Sequence, residues 1–107
     1  MKSFVNAAVA MGFGLQITEF DVSETGTPAD PVERDKIIAD LTQRYISMML
    51  SYKQLDQIIA WGLLDHHSWL QSRTRRADGM LKRPTFYDAN YRAKPMRAAL
   101  AAAFKGR

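Results

Sequence analysis

Residues 15–22, Leu15-Gln16-Ile17-Thr18-Glu19-Phe20-Asp21-Val22, alternate with the two-residue period of an extended strand. Leu15, Ile17, Glu19 and Asp21 fall on one face and Gln16, Thr18, Phe20 and Val22 on the other, so two acids point the same way at the C-terminal end. Downstream, Ser23–Ala29 reads as a loop with Gly26 and Pro28, and Asp30-Pro31-Val32-Glu33 supplies a cap, a proline at the first helical position and an acid in the first turn. Ile37, Ile38, Leu41, Tyr45, Met48, Met49 and Tyr52 continue at helical spacing, which predicts a helix of about twenty residues with one apolar stripe. The continuous apolar run Ile58–Leu64, closed by Asp65, predicts a second strand covered on both faces. Upstream, Phe4, Ala7, Ala8 and Met11 share one face of a helix stopped by Gly12 and Gly14; this outweighs a signal peptide, for which one lysine and the polar Asn6 are a weak start. Lys94-Pro95 opens a last helix with Met96, Ala99, Leu100, Ala103 and Phe104 along one side. The order is α-β-α-β-α, and the central helix makes a crossover between two parallel strands.

At 107 residues the chain is one domain, 1–107, and its 47% hydrophobic and 24% charged residues are those of an ordinary folded α/β protein. The absence of cysteine excludes disulfides and thiolate chemistry, and no apolar run reaches the ~20 residues that span a bilayer, so no membrane partner is expected. Residues 1–54 hold five Lys/Arg against seven Asp/Glu, and residues 55–107 ten against four. Much of that excess is the run Arg73, Arg75, Arg76, Lys82 and Arg83, read as a solvated surface turn around Asp78 and Gly79 and not as a nucleic-acid site. Two parallel strands alone leave two open sheet edges, so the strands either join others from a partner or close a larger α/β fold.

Glu19 is the sharpest chemical candidate, because catalytic side chains of α/β folds sit at the C-terminal ends of parallel strands. Asp21, ~7 Å along the strand on the same face, lies where one donor could bridge both carboxylates; the alternative is a pair of solvated strand-end acids. Trp61 and Trp69 offer aromatic faces suited to the C–H face of a sugar ring, with burial in the core as the other reading for Trp61. His66 and His67 are adjacent, diverge on most backbones and lack a third ligand at metal spacing, so no metal and no cofactor is expected.

The segment Ile17-Thr18-Glu19-Phe20-Asp21-Val22 resembles the strand motif Ile-Thr-Glu-Leu-Asp-Val of glycoside hydrolase family 10, the endo-1,4-β-xylanases. Trp61-Gly62 with Asp65-x-x-Ser68-Trp69 resembles that family's eighth-strand pattern, and Phe86-Tyr87-Asp88-Ala89-Asn90-Tyr91 before Lys94-Pro95 resembles its lead into the closing helix. The resemblance runs from about Phe4 to Phe104, with Phe20 in place of the usual leucine. It implies the C-terminal quarter of a (β/α)8 TIM barrel, a fold of ~250 residues or more, of which this chain supplies about two parallel strands and three helices.

The resemblance further implies retaining hydrolysis of β-1,4-xylan, with Glu19 as nucleophile, Asp21 as the acid that orients it, and Trp61 and Trp69 lining the sugar subsites. The family's acid/base glutamate follows an asparagine on another strand, whereas Asn6 and Asn90 here precede Ala7 and Tyr91. Glu24 and Glu33 have the wrong setting; Asp65, on the neighbouring strand, ranks below a missing partner. The isolated chain is therefore expected to be inactive. The partners implied are xylan or xylo-oligosaccharides and a complementing barrel fragment or self-association through the open edges; the alternative is a non-catalytic carbohydrate-binding or partner-completed module. The family usually acts outside the cytoplasm, which implies an extracellular or periplasmic location.

Overall fold

The computed structural model describes residues 1–73 and 75–107. Its elements are α1 (Lys2–Ala10), β1 (Leu15–Phe20), α2 (Pro31–Leu50), β2 (Leu55–Ala60), a 3-10 turn (Asp65–His67), α3 (Leu70–Arg73) and α4 (Pro95–Lys105). The α-β-α-β-α order stands, with two short helical turns added in the connection after β2. At the start of α2 the Asp30 carboxylate accepts the Glu33 amide at 3.3 Å and Pro31 occupies the first turn, which fixes where that helix begins. β1 and β2 pair in parallel as a two-stranded sheet.

Both strands differ from the alternation read in the sequence. Ile17 pairs with Ile58 but Phe20 pairs with Ala60, three steps on β1 against two on β2, so β1 carries an extra residue at Thr18–Glu19. Such a bulge breaks the two-residue period. Phe20 therefore lies buried with Ile17, and Thr18 and Glu19 are both exposed, in place of a face shared by Ile17 and Glu19. The second strand begins at Leu55 and ends at Ala60, not at Ile58 and Leu64. Past it Gly62 adopts φ 99°, a left-handed conformation that turns the chain out of the strand, and Leu63 and Asp65 bond to the backbone of Tyr87 instead.

The core fills the space between one face of the sheet and the helices α2 and α4. Phe20 stacks on Tyr45 of α2 with centroids 5.9 Å apart and tilts against Phe86 at 6.2 Å, which locks the end of β1 to both flanking segments. Ile38, Thr42, Ile46 and Met49 form the buried side of α2, whereas Ile37 and Leu41 from the predicted stripe are exposed. Small Ala99 and Ala103 with Met96 pack α4 into this cluster, and Phe104 stays outside. On α1 the buried residue is Val5, not the predicted face: Phe4 is 76% exposed, and that face walls an open hollow of about 440 Å³ with Phe13 and Leu15. The other face of the sheet is bare, and Ile59, expected to be covered, is 39% exposed.

The connection from β2 to α4 is held by charge. The buried Asp65 accepts the Thr85 amide at 3.0 Å, the Thr85 hydroxyl at 2.8 Å and the Lys94 ammonium at 3.0 Å, and Lys94 also donates to the carbonyls of Arg83 and Thr85 at 2.8 Å. Burial pulls Lys94 below the usual lysine range, against the opposing attraction of Asp65. Arg83 binds Asp35 of α2 at 2.7 and 2.8 Å; Arg34 pairs with the buried Glu24 and donates to the Leu81 carbonyl at 2.7 Å. The basic run is only in part a solvated turn: Arg73, Arg75 and the Asp78–Gly79 turn are exposed, whereas Arg76 pairs with Asp78 and lies 3.9 Å from the buried Glu24, Arg83 pairs with Asp35 of α2, and Lys82 is buried.

Breaking one partner of a buried pair leaves an uncompensated charge, so Lys94→Met should cost about 3–5 kcal/mol, whereas Arg44→Ala, which removes the exposed Asp40–Arg44 pair at 2.8 Å, should cost at most about 0.5 kcal/mol. Urea unfolding of the two variants measures the contrast.

Candidate active site

The four residues singled out in the sequence sit at or beyond the C-terminal ends of the two strands. Glu19 lies exposed in the bulge near the end of β1, and Asp21 follows β1 directly. Trp61 follows β2, where its amide donates to the Phe20 carbonyl at 2.9 Å and ties the two strand ends together. Its indole lies outside the core at 46% exposure, which removes the buried-strand reading; Trp69, 41% exposed, stands at the entrance to α3.

Trp69 and Asp21 are in direct contact, the indole Nε1–H donating to Asp21 Oδ2 at 2.7 Å. Partial burial raises the Asp21 carboxyl above the ordinary aspartate range; the Trp69 hydrogen bond opposes this, and the negative charge of Glu19 adds to it. Beneath them Glu19, Asp21, Val22, Leu41 and Tyr45 line a hollow of about 340 Å³ between the end of β1 and α2.

Other candidates are removed by their contacts. Asp65 is committed to Thr85 and Lys94 and Glu24 to Arg34, so each holds a loop in place and neither is a free carboxyl. His66 and His67 do not diverge: their rings lie 4.1 Å apart, and His66 meets Tyr91 edge-on at 5.6 Å. Among the described residues no group of three His, Asp or Glu side chains is gathered to hold a metal. One neighbour was missed in the sequence: the Arg73 guanidinium lies 5.1 Å from the centre of the Trp69 ring. The i, i+4 spacing through α3 is the signal that would have found it.

The family model described as Glycosyl hydrolase family 10 matches residues 1–103. The chain is 33% identical over 98 residues to endo-1,4-beta-xylanase A of Halalkalibacterium halodurans, covering 80% of this chain and 25% of that protein. It is 27% identical over 108 residues to endo-1,4-beta-xylanase C of Paenibacillus barcinonensis, covering 94% of this chain and 10% of that protein. The chain thus spans a quarter or less of these curated relatives. Among solved structures, xylanase 10B of Thermotoga maritima superimposes with a TM-score of 0.82 at 22% identity, over 98% of this chain and 31% of that one. Xylanase 10C of Cellvibrio japonicus, solved with xylopentaose, gives 0.83 at 22% identity, over 98% and 24%.

The contacts of Asp21 make its titration a local probe. Glu19→Gln should lower the Asp21 pKa by removing a neighbouring negative charge, and Trp69→Phe should raise it further by removing the donor to the carboxylate, both followed by NMR of the carboxyl carbon. Because the folded value lies above the unfolded one, the wild-type residue costs stability as the pH rises through this range, and Asp21→Asn removes that component of the pH dependence.

Proposed function

Because this chain belongs to glycosyl hydrolase family 10, we propose that it is the part of a retaining endo-1,4-β-xylanase that carries the nucleophile, Glu19. In such a reaction the carboxylate attacks the anomeric carbon of a xylosyl unit while a second carboxyl, ~5–5.5 Å away, protonates the departing oxygen. A covalent glycosyl–enzyme forms, and the second residue then acts as base towards the water that releases the sugar. Asp21 serves as the positioning acid beside Glu19, and the exposed faces of Trp61 and Trp69 stack on sugar rings either side of the cleavage point.

The observation that carries this reading is the bulge in β1. It leaves Glu19 exposed near the strand's C-terminal end, two residues before the Trp69-bonded Asp21, which supports a role at the end of the strand where barrel enzymes carry their catalytic side chains. Asp65 and Glu24 are taken up by Lys94 and Arg34, which supports assigning the acid/base to a part of the barrel outside this chain. The bare sheet face and open strand edges are the surface that a complementing segment, or a second copy, would cover. Xylan and xylo-oligosaccharides are the proposed ligands, and an extracellular or periplasmic site of action is the proposed location; no helix is long and apolar enough to cross a membrane.

A second reading, a non-catalytic glycan-binding module, is favoured by the exposure of both indoles. The two differ in a direct assay. Loss of the leaving-group acid removes about 10²–10⁴-fold, so the purified chain should release no xylose from xylan or an aryl xylobioside, and addition of a polypeptide supplying the remaining strands should restore turnover that Glu19→Gln abolishes. Turnover by the chain alone, or restored turnover insensitive to Glu19→Gln, contradicts the proposal; glycan binding with no turnover in the assembled barrel supports the module.

A further inference from the structure

The backbone at Trp69 is anchored on every side. Leu70, the next residue, is buried; its amide donates to the Ser68 hydroxyl at 3.2 Å, and the Ser72 hydroxyl donates to the Trp69 carbonyl at 2.9 Å. The Gln71 side chain donates to the carbonyls of Asp65 and Lys82 at 2.8 Å and accepts the Lys82 amide at 2.9 Å, which ties the same turn to both ends of the connection. What is left to settle is the indole, which turns about two side-chain bonds. Two directed contacts meet it: Nε1–H donates to Asp21 Oδ2 at 2.7 Å, and the Arg73 guanidinium lies over the ring, 5.1 Å from its centre.

The two contacts constrain different rotations. A hydrogen bond from the N–H runs along the plane of the ring, whereas a cation held by the ring quadrupole sits across that plane, within about 6 Å of its centre. Together they leave the indole one orientation, with one face under Arg73 and the other face open. A guanidinium over the ring also draws electron density from it, which makes the N–H a stronger donor to the carboxylate. Besides burial, the groups that set the Asp21 carboxyl are that N–H, which lowers its pKa, and the negative charge of Glu19, which raises it. Arg73 therefore reaches Asp21 by way of the ring.

We propose that Arg73 is a positioning residue for the reaction at Glu19: seated on one face of Trp69, it holds the indole in the orientation in which Nε1–H meets Asp21 and the opposite face is free for a sugar ring. The proposal rests on the xylanase reading and adds to it a residue that acts through two others. Fixing the indole in advance removes the cost of ordering it when a glycan stacks on it, and the same contact keeps Asp21 in place beside the nucleophile. A planar guanidinium suits the ring face better than a lysine ammonium does, and an uncharged side chain supplies neither the attraction nor the polarisation.

NMR of the whole chain tests this, followed at the Asp21 carboxyl carbon and the Trp69 indole N–H, in the parent and in Arg73→Gln, Arg73→Lys, Trp69→Phe and the Trp69→Phe/Arg73→Gln double variant. Arg73 is exposed, so its replacement leaves the fold intact. A cation–π contact at an exposed site shifts an equilibrium about two- to fivefold. Arg73→Gln should therefore speed hydrogen exchange of the Trp69 indole by about that factor, weaken xylotetraose binding by a similar one, and raise the Asp21 pKa part of the way to its value in Trp69→Phe. Arg73→Lys should recover part of each change. In the Trp69→Phe background Arg73→Gln should leave the Asp21 pKa where it is, because the donor through which Arg73 acts is gone. An equal rise in both backgrounds marks a direct effect of charge and overturns the proposal, as does indole exchange or an Asp21 pKa that Arg73→Gln leaves unchanged. Xylotetraose that moves the indole signal but binds the parent and Arg73→Gln equally well overturns the role of Arg73 and leaves the xylanase reading standing. Xylotetraose that moves no indole signal in the parent overturns both.

Discussion

A single extra residue in β1 sorts the end of that strand. With Thr18 and Glu19 together opposing one step of β2, Phe20 is buried and stacks on Tyr45 of α2, and Glu19 is left exposed. Without the bulge, strict alternation would put Glu19 on the face of Ile17, among the apolar side chains of the core, where an unpaired carboxylate is costly. The packing of Phe20 and the exposure of Glu19 are therefore one event, and the position of Asp21 beside Trp69 follows from it.

The rest of the site depends on how the long connection after β2 is held. Phe86 anchors it in the core, and three acids, Glu24, Asp35 and Asp65, fix the rest, each satisfied by a cation or by backbone amides. Buried pairs of this kind add little net stability over apolar residues but penalise any other arrangement strongly. That suits a connection which must present Trp61, Trp69 and Arg73 at defined places on the rim of a sheet it does not cover.

Much of the architecture was legible because local signals were strong. Asp30-Pro31 and Lys94-Pro95 marked two helix starts, and the strand ends with the motif around Glu19 singled out Glu19, Asp21, Trp61 and Trp69, which the structure brings to the C-terminal ends of the two strands or beyond them. What was not legible depended on contacts distant in sequence. The bulge cannot be seen in the alternation of residues 15–22, because it is set by pairing with β2. The apolar run 58–64 suggested a strand where Gly62 instead turns the chain away. The stripe on α2 was read from the large apolar residues and missed that Arg34 and Asp35 are on the buried side, as their partners Glu24 and Arg83 lie ten and forty-eight residues away. The exposed face of α1 and the bare side of the sheet fit the proposal that further strands and helices of a barrel cover them, since the chain spans a quarter or less of its curated relatives.

The central claim is the identity of the nucleophile, and the intermediate itself reports it most directly. A barrel assembled from this chain and a polypeptide supplying the strands proposed to complete it, and shown to turn over, is treated with a xylobioside bearing a good leaving group and a 2-fluoro substituent, which slows release of the sugar from the enzyme, and the trapped species is then digested and its peptides weighed. The account predicts the glycosyl mass on the peptide containing Glu19, on that residue; the label on Asp21, Asp65 or any other carboxyl would contradict it.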